Sequence, residues 1–103
     1  MITVITETQL IPGQEEQWDH AFMARMTQAS KQPGWMGVEL LIPTDDESKR
    51  VVVGTWRSQE DWDRWHKTAE FQQMCPLLAA ATQNDGAPKW FEVDMSMAQP
   101  ASQ

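Results

Sequence analysis

The chain has 103 residues and a formal net charge of -7, from 8 basic and 15 acidic side chains, which leaves room for one folding unit and no more. A sequence pI near 4.6 argues against nucleic acid and anionic membrane surfaces as partners, since bulk electrostatics repels both. Leu, Ile, Val and Phe supply only 18 residues, but six Trp and seven Met make up the apolar volume, so the expected core is aromatic and thioether-rich.

The single cysteine, Cys75, cannot close an intramolecular disulfide, and the N-terminus has no basic start followed by an apolar run. A reducing cytoplasmic location is expected. No apolar run reaches the roughly 18 residues a membrane span requires.

Residues 2–11 alternate, with Ile2, Val4 and Leu10 on one face and Ile5 and Ile11 on the other, which predicts a first strand. Pro12-Gly13 ends it. From Gln14 to Lys31 the residues Trp18, Ala21, Phe22, Met26 and Ala29 recur at steps of three and four, predicting an amphipathic helix that stops at Pro33-Gly34. In WMGVELLI, strict alternation sets Met36, Val38, Leu40 and Ile42 against Trp35, Gly37, Glu39 and Leu41. A polar loop over 43–49, with Asp45, Asp46 and Glu47 as a solvated turn, connects this strand to RVVVGTW.

Ser58, three residues before Asp61, fits a helix N-cap. Trp62, Trp65, Phe71, Met74 and Leu78 then form an apolar stripe, with Pro76 expected to kink or divide it. Asn84 to Pro88 reads as a loop, and residues 89–97 as a last strand with Phe91, Val93, Met95 and Met97 on its apolar face. The order β-α-β-β-α-β predicts an α+β, ferredoxin-like antiparallel sheet with both helices on one face, over a domain of residues 1–98 with a polar tail at 99–103. The opposite face would expose Trp35, Leu41 and Trp90 among Glu39, Glu92 and Asp94, and a twofold homodimer would cover it.

The segments TVITETQLIPGQ, QPGWMG and especially TWRSQEDWDRWHKTAEF resemble the antibiotic biosynthesis monooxygenase family, a superfamily of dimeric α+β barrels. The resemblance runs over nearly the whole chain. It implies a homodimer that binds a small aromatic, phenolic or quinol molecule and oxidises it with dioxygen, without metal or organic cofactor. The superfamily also holds haem degraders, whose Asn, Trp and His positions fall here on Thr6, Trp65 and Cys75, and only the Trp is kept. Haem binding or degradation is therefore an alternative, with Cys75 the one side chain able to ligate iron at that third position. In the quinol-oxidising branch the position of Trp65 is commonly His and a second His precedes the Phe, where this chain has Glu70 before Phe71. A non-catalytic small-ligand module on the same fold is a further alternative.

Oxidation without a cofactor requires a dry apolar cavity with hydrogen-bond donors aimed at developing negative charge. Trp65 can stack on a flat guest and donate its indole N–H, and Trp62, Phe22 and Phe71 can wall the space. Thr6 offers a hydroxyl near the middle of the first strand. His66 can take a phenolic proton, although its position about 100° around the helix from Trp65 also suits solvent. Arg25 can turn inward to an anionic substrate or snorkel to water. His20 is expected at the surface, and Cys75, lacking a basic neighbour in sequence, as a small buried hydrophobe.

Overall fold

The computed structural model describes residues 1–97; the predicted tail at 99–103 and Ala98 lie outside the described residues. The elements are β1 (Ile2–Leu10), α1 (Glu15–Ala29), β2 (Trp35–Leu41), β3 (Lys49–Trp56), α2 (Gln59–His66), α3 (Ala69–Ala80), β4 (Thr82–Asp85) and β5 (Lys89–Glu92). The fold is the expected ferredoxin-like α+β arrangement. Antiparallel strands lie in the order β2-β3-β1-β4, and β5 pairs with β1 on the same edge as β4. Thr8 to Leu10 hold β4, and Ile2 to Ile5 hold β5.

Five expectations are corrected. Strict alternation fails at the start of β2, because the register with β3 steps from Trp35↔Trp56 to Gly37↔Thr55, leaving Met36 as an extra residue. Gly37, at φ +155°, provides a backbone geometry that side-chain-bearing residues rarely adopt. The bulge turns Trp35 to the helix side, where it meets Trp56 edge-on at 5.5 Å, and Met36 outward. Trp90 also turns to the helix side, since it pairs with buried Val4 and packs against Trp62 at 4.4 Å. The uncovered face therefore presents Met36, Leu41 and Phe91 in place of the two tryptophans.

The second helical region divides at Lys67-Thr68, not at Pro76, which lies inside α3. Thr68 causes the break: its hydroxyl donates to Trp65 O at 2.7 Å and accepts from Phe71 N at 3.2 Å, ending one helix and capping the next. Ser58 caps α2 as expected, accepting from Asp61 N at 3.3 Å. Its hydroxyl, with Arg64 and Arg57, holds the buried Asp61 carboxyl below the ordinary carboxylate range.

Part of the predicted loop at 84–88 is strand. TQND has weak intrinsic β preference, but β1's free edge orders it, and Ile11 N to Ala81 O at 2.9 Å and Gly86 N to Glu7 O at 2.7 Å bracket it. The last strand is shorter than expected, ending at Glu92.

The apolar interior forms two clusters. One joins Leu10, Trp18, Ala21, Phe22, Leu78 and Ala81; the other joins Ala29, Trp56 and Trp65. Among the described residues no helix is long and apolar enough to cross a membrane.

Candidate active site

The sheet positions facing the helices are small where the two clusters approach one another. Thr6 and Thr8 of β1 and Val52 and Gly54 of β3 leave a cavity of about 430 Å³, walled by Trp18, Phe22 and Leu78 from one cluster and Trp56 and Trp65 from the other. That volume is in the range of small-molecule sites. Exposed Ala79, Asp85 and Pro88 also border the cavity, and so place its mouth beside the C-terminal end of α3 and the β4–β5 connection.

All seven residues singled out in the sequence, Thr6, Phe22, Arg25, Trp62, Trp65, His66 and Phe71, line this one cavity. Trp65 is 2% exposed, yet its ring borders the void, with Phe71 edge-on at 5.6 Å. Phe22 stacks on Trp18 at 4.8 Å with an interplanar angle of 9°. Thr6 is half-buried on the sheet floor.

His66 departs from the solvent alternative. Its ring lies 3.6 Å from that of Trp62 and 4.3 Å from that of Phe71, between the end of α2 and the start of α3. Nδ1 stands 2.8 Å from Trp62 O. A carbonyl oxygen only accepts, so Nδ1 carries the proton and Nε2 keeps its lone pair. Burial pushes the imidazole below its ordinary value and Arg25 adds to this, while the Trp62 carbonyl and Asp63 oppose it. The net shift is downward and favours the neutral ring.

Arg25 also turns inward rather than to solvent. Its guanidinium lies 4.2 Å from the Phe71 ring centroid, and Nη2 donates to Cys75 Sγ at 3.1 Å. The basic neighbour that Cys75 lacks in sequence is thus delivered by α1. Cys75 is half-buried and lines the cavity. Its thiol donates to Phe71 O at 3.6 Å while its sulfur accepts from Arg25. His20 is exposed, as expected, and among the described residues no cluster of metal-ligating side chains occurs.

Two polar features were missed in the sequence. Thr8 donates to Asp85 at 2.9 Å across the β1–β4 pair at the cavity mouth. Arg50 is buried and makes a two-pronged bond to Asp19, at 2.8 and 3.0 Å, tying β3 to α1. Both join residues far apart in sequence, and neither has a local motif.

Residues 1–77 match the family model for antibiotic biosynthesis monooxygenase. The chain belongs to that family. Its fold is shared with a Nitrosomonas europaea protein carrying the same family name, at TM-score 0.84 and 17% identity, over 92% of this chain and 100% of that one. It is similar to SnoaB, described as a cofactor-independent oxygenase from Streptomyces nogalater, at TM-score 0.83 and 16% identity, over 95% and 97% of the two chains. PA3566 from Pseudomonas aeruginosa aligns at TM-score 0.76 and 19% identity, over 87% and 90%. No curated protein matches the chain in sequence. At these identities the structural likeness speaks to fold, and the chemistry of this family member is argued from its own cavity.

Proposed function

We propose that this protein is a cofactor-independent monooxygenase that oxidises a planar phenolic, anthrone-like or quinol molecule with dioxygen. The observation that carries the reading is His66, its Nδ1 engaged by the Trp62 carbonyl, in the lining of an indole-walled cavity. In an apolar enclosure a phenol or enol gives up its proton only if a base and anion-stabilising donors are already in place. Nε2 of His66 accepts that proton. The indole N–H of Trp65 and the hydroxyl of Thr6 are the nearby donors assigned to the resulting oxyanion, and Trp62, Phe22 and Phe71 hold the ring flat.

The anion then passes an electron to dioxygen, the two radicals combine at carbon, and the resulting peroxide takes back the proton held on His66 to give a hydroperoxide. Loss of water leaves a carbonyl. For a methylene carbon the balance is CH2 + O2 giving C=O + H2O, with the substrate supplying all four electrons. The description of SnoaB as cofactor-independent supports this route.

We assign the active form as a homodimer joined through the uncovered sheet face, where Met36, Leu41 and Phe91 are 54%, 46% and 48% exposed. The test of the reaction is oxygen uptake with a panel of anthrones, quinols and polycyclic phenols in the presence of chelator. Stoichiometric oxygen consumption with appearance of the carbonyl product is the expected result. Saturable binding across the panel with no uptake would assign the cavity to ligand binding alone.

A further inference from the structure

Buried Arg50 and half-buried Arg25 are treated differently. Arg50 has a carboxylate, Asp19, on two of its nitrogens. Arg25 has none: among the described residues no ion pair includes it, and its buried Nε has no hydrogen-bond partner. The one carboxylate that shares the cavity, Asp85, receives its hydrogen bond from Thr8 instead. A half-buried cation with no carboxylate in direct contact is costly to maintain, since Asp85 acts on it only at a distance. Burial does push the guanidinium below its ordinary range, with Cys75 and Asp85 opposing.

The group is also held still. The Phe71 ring beneath it and the Cys75 sulfur beside it fix the plane of the guanidinium, whose Nε–H is enclosed without a partner. Phe71 also packs against His66, so the proton acceptor and the unpaired cation flank one aromatic ring. A flat guest in this cavity meets both.

We propose that Arg25 is the anion-recognition group of the cavity, and that the molecule it selects is a planar aromatic carrying an anionic oxygen: a carboxylate set apart from the hydroxyl that His66 deprotonates or, where His66 has no proton to take, an enol already ionised at neutral pH. The inference rests on reading the cavity as the substrate site, and it narrows the substrate class. Arg25 acts here as a specificity-determining residue, through charge-assisted hydrogen bonding to the guest.

The experiment is anaerobic titration calorimetry of the intact protein with three probes of similar size: 2-naphthoate, the ionised form of 2-hydroxy-1,4-naphthoquinone, and neutral 2-naphthol. Both or one of the anions should bind at least about tenfold more tightly than naphthol, the size of effect one charge-assisted bond supplies. The tighter anion names the source of the charge. Arg25→Gln should abolish the preference while leaving naphthol affinity within about twofold, and Arg25→Lys should keep part of it. Equal or tighter binding of naphthol to the wild-type protein overturns the proposal, as does failure of both anions to saturate; neither result depends on a variant folding. Equal weakening of all three probes in a folded Arg25→Gln overturns it too. Because no oxygen is present, the outcome is separable from turnover: a preference for anions without oxygen uptake in the panel assay leaves the anion site and removes the oxygenase, and uptake without preference does the reverse.

Discussion

His66 donates its Nδ1 proton to the Trp62 carbonyl at 2.8 Å, and this one bond fixes which ring nitrogen remains free to act as a base. His66 sits in the last turn of α2, so the carbonyl it meets belongs to its own helix. The ring is therefore oriented locally and buried by α3.

The pH dependence of kcat/KM follows from that burial. His66 must be neutral to accept a proton, and its folded value lies below 6.5, with burial the largest cause. Activity should rise with pH along a single limb whose midpoint falls below 6.5, then level off near neutrality. His66→Gln keeps a polar side chain but no base, and should lower kcat/KM by about 100-fold or more and remove the limb. A pH-rate profile of the two proteins checks this. The same shift acts on stability: below pH 6.5 the unfolded chain takes up a proton that folded His66 resists, so the wild-type protein loses stability as pH falls from 6.5 towards the lower folded value. His66→Gln should flatten that part of the denaturation curve.

Gly34 and Gly13 provide a matched pair for backbone and contact effects. Their φ values are +85° and +90°, so each pays a similar cost when a Cβ is added, roughly 1–2 kcal/mol. At Gly13 the new atom meets nothing within 4 Å, whereas at Gly34 it would lie 2.6 Å from Asp61 Cβ and closer still to the carboxylate. Asp61 bonds to Ser58, Arg57 and Arg64, so moving it disturbs the start of α2. Gly34→Ala should depress Tm well beyond Gly13→Ala, for which about 4–8 °C per kcal/mol applies at this size. Equal Tm values would show that Asp61 yields freely.

Periodicity set Trp62, Trp65, Phe71 and Phe22 on core-facing helical stripes, and the family resemblance supplied the expectation that they wall a cavity. What periodicity could not carry was any relation between distant segments. Arg25 turns inward because α3 brings Cys75 and Phe71 to it, some fifty positions along the chain. Trp35 and Trp90 point to the helices for two separate reasons, the bulge at Gly37 and the register of β5 on β1, and neither is visible in local alternation. The break between α2 and α3 had a local signal, Thr68 followed by Glu70, but the stronger helix-breaking reputation of Pro76 obscured it.

Trp65 separates packing from chemistry. It is a member of the buried cluster with Ala29 and Trp56, and it borders the cavity. Trp65→Ala should cost about 3–5 kcal/mol through lost burial and an enlarged void. Trp65→Phe keeps most of the aromatic surface against Phe71 and loses the indole donor. Its stability should fall by much less, about 1–2 kcal/mol, while turnover drops by about 10- to 100-fold if the N–H meets the developing oxyanion. Denaturant midpoints and steady-state kinetics on the pair check the division; unchanged turnover in Trp65→Phe would confine this residue to packing.

The uncovered face of the sheet sets the last prediction. Thr3 and Thr55 are joined by a 3.0 Å hydrogen bond at its centre, and around them Met36, Leu41 and Phe91 are exposed while Ile5, Val51 and Val53 are half-buried. One sheet face so rich in apolar side chains favours burial against an identical face, since antiparallel sheets tolerate water on one side only when that side is polar. Light scattering should therefore give a mass near twice 11.8 kDa at micromolar concentration. Introducing like charges at positions related across a twofold interface, as in the double variant Leu41→Glu with Phe91→Glu, should shift the protein to a monomer, because two carboxylates brought into an apolar contact must each be desolvated. Both positions are exposed in the isolated chain, so the substitutions leave the helix-side core untouched. A monomeric mass for the unaltered protein, or a dimer indifferent to both charges, would place the contact elsewhere.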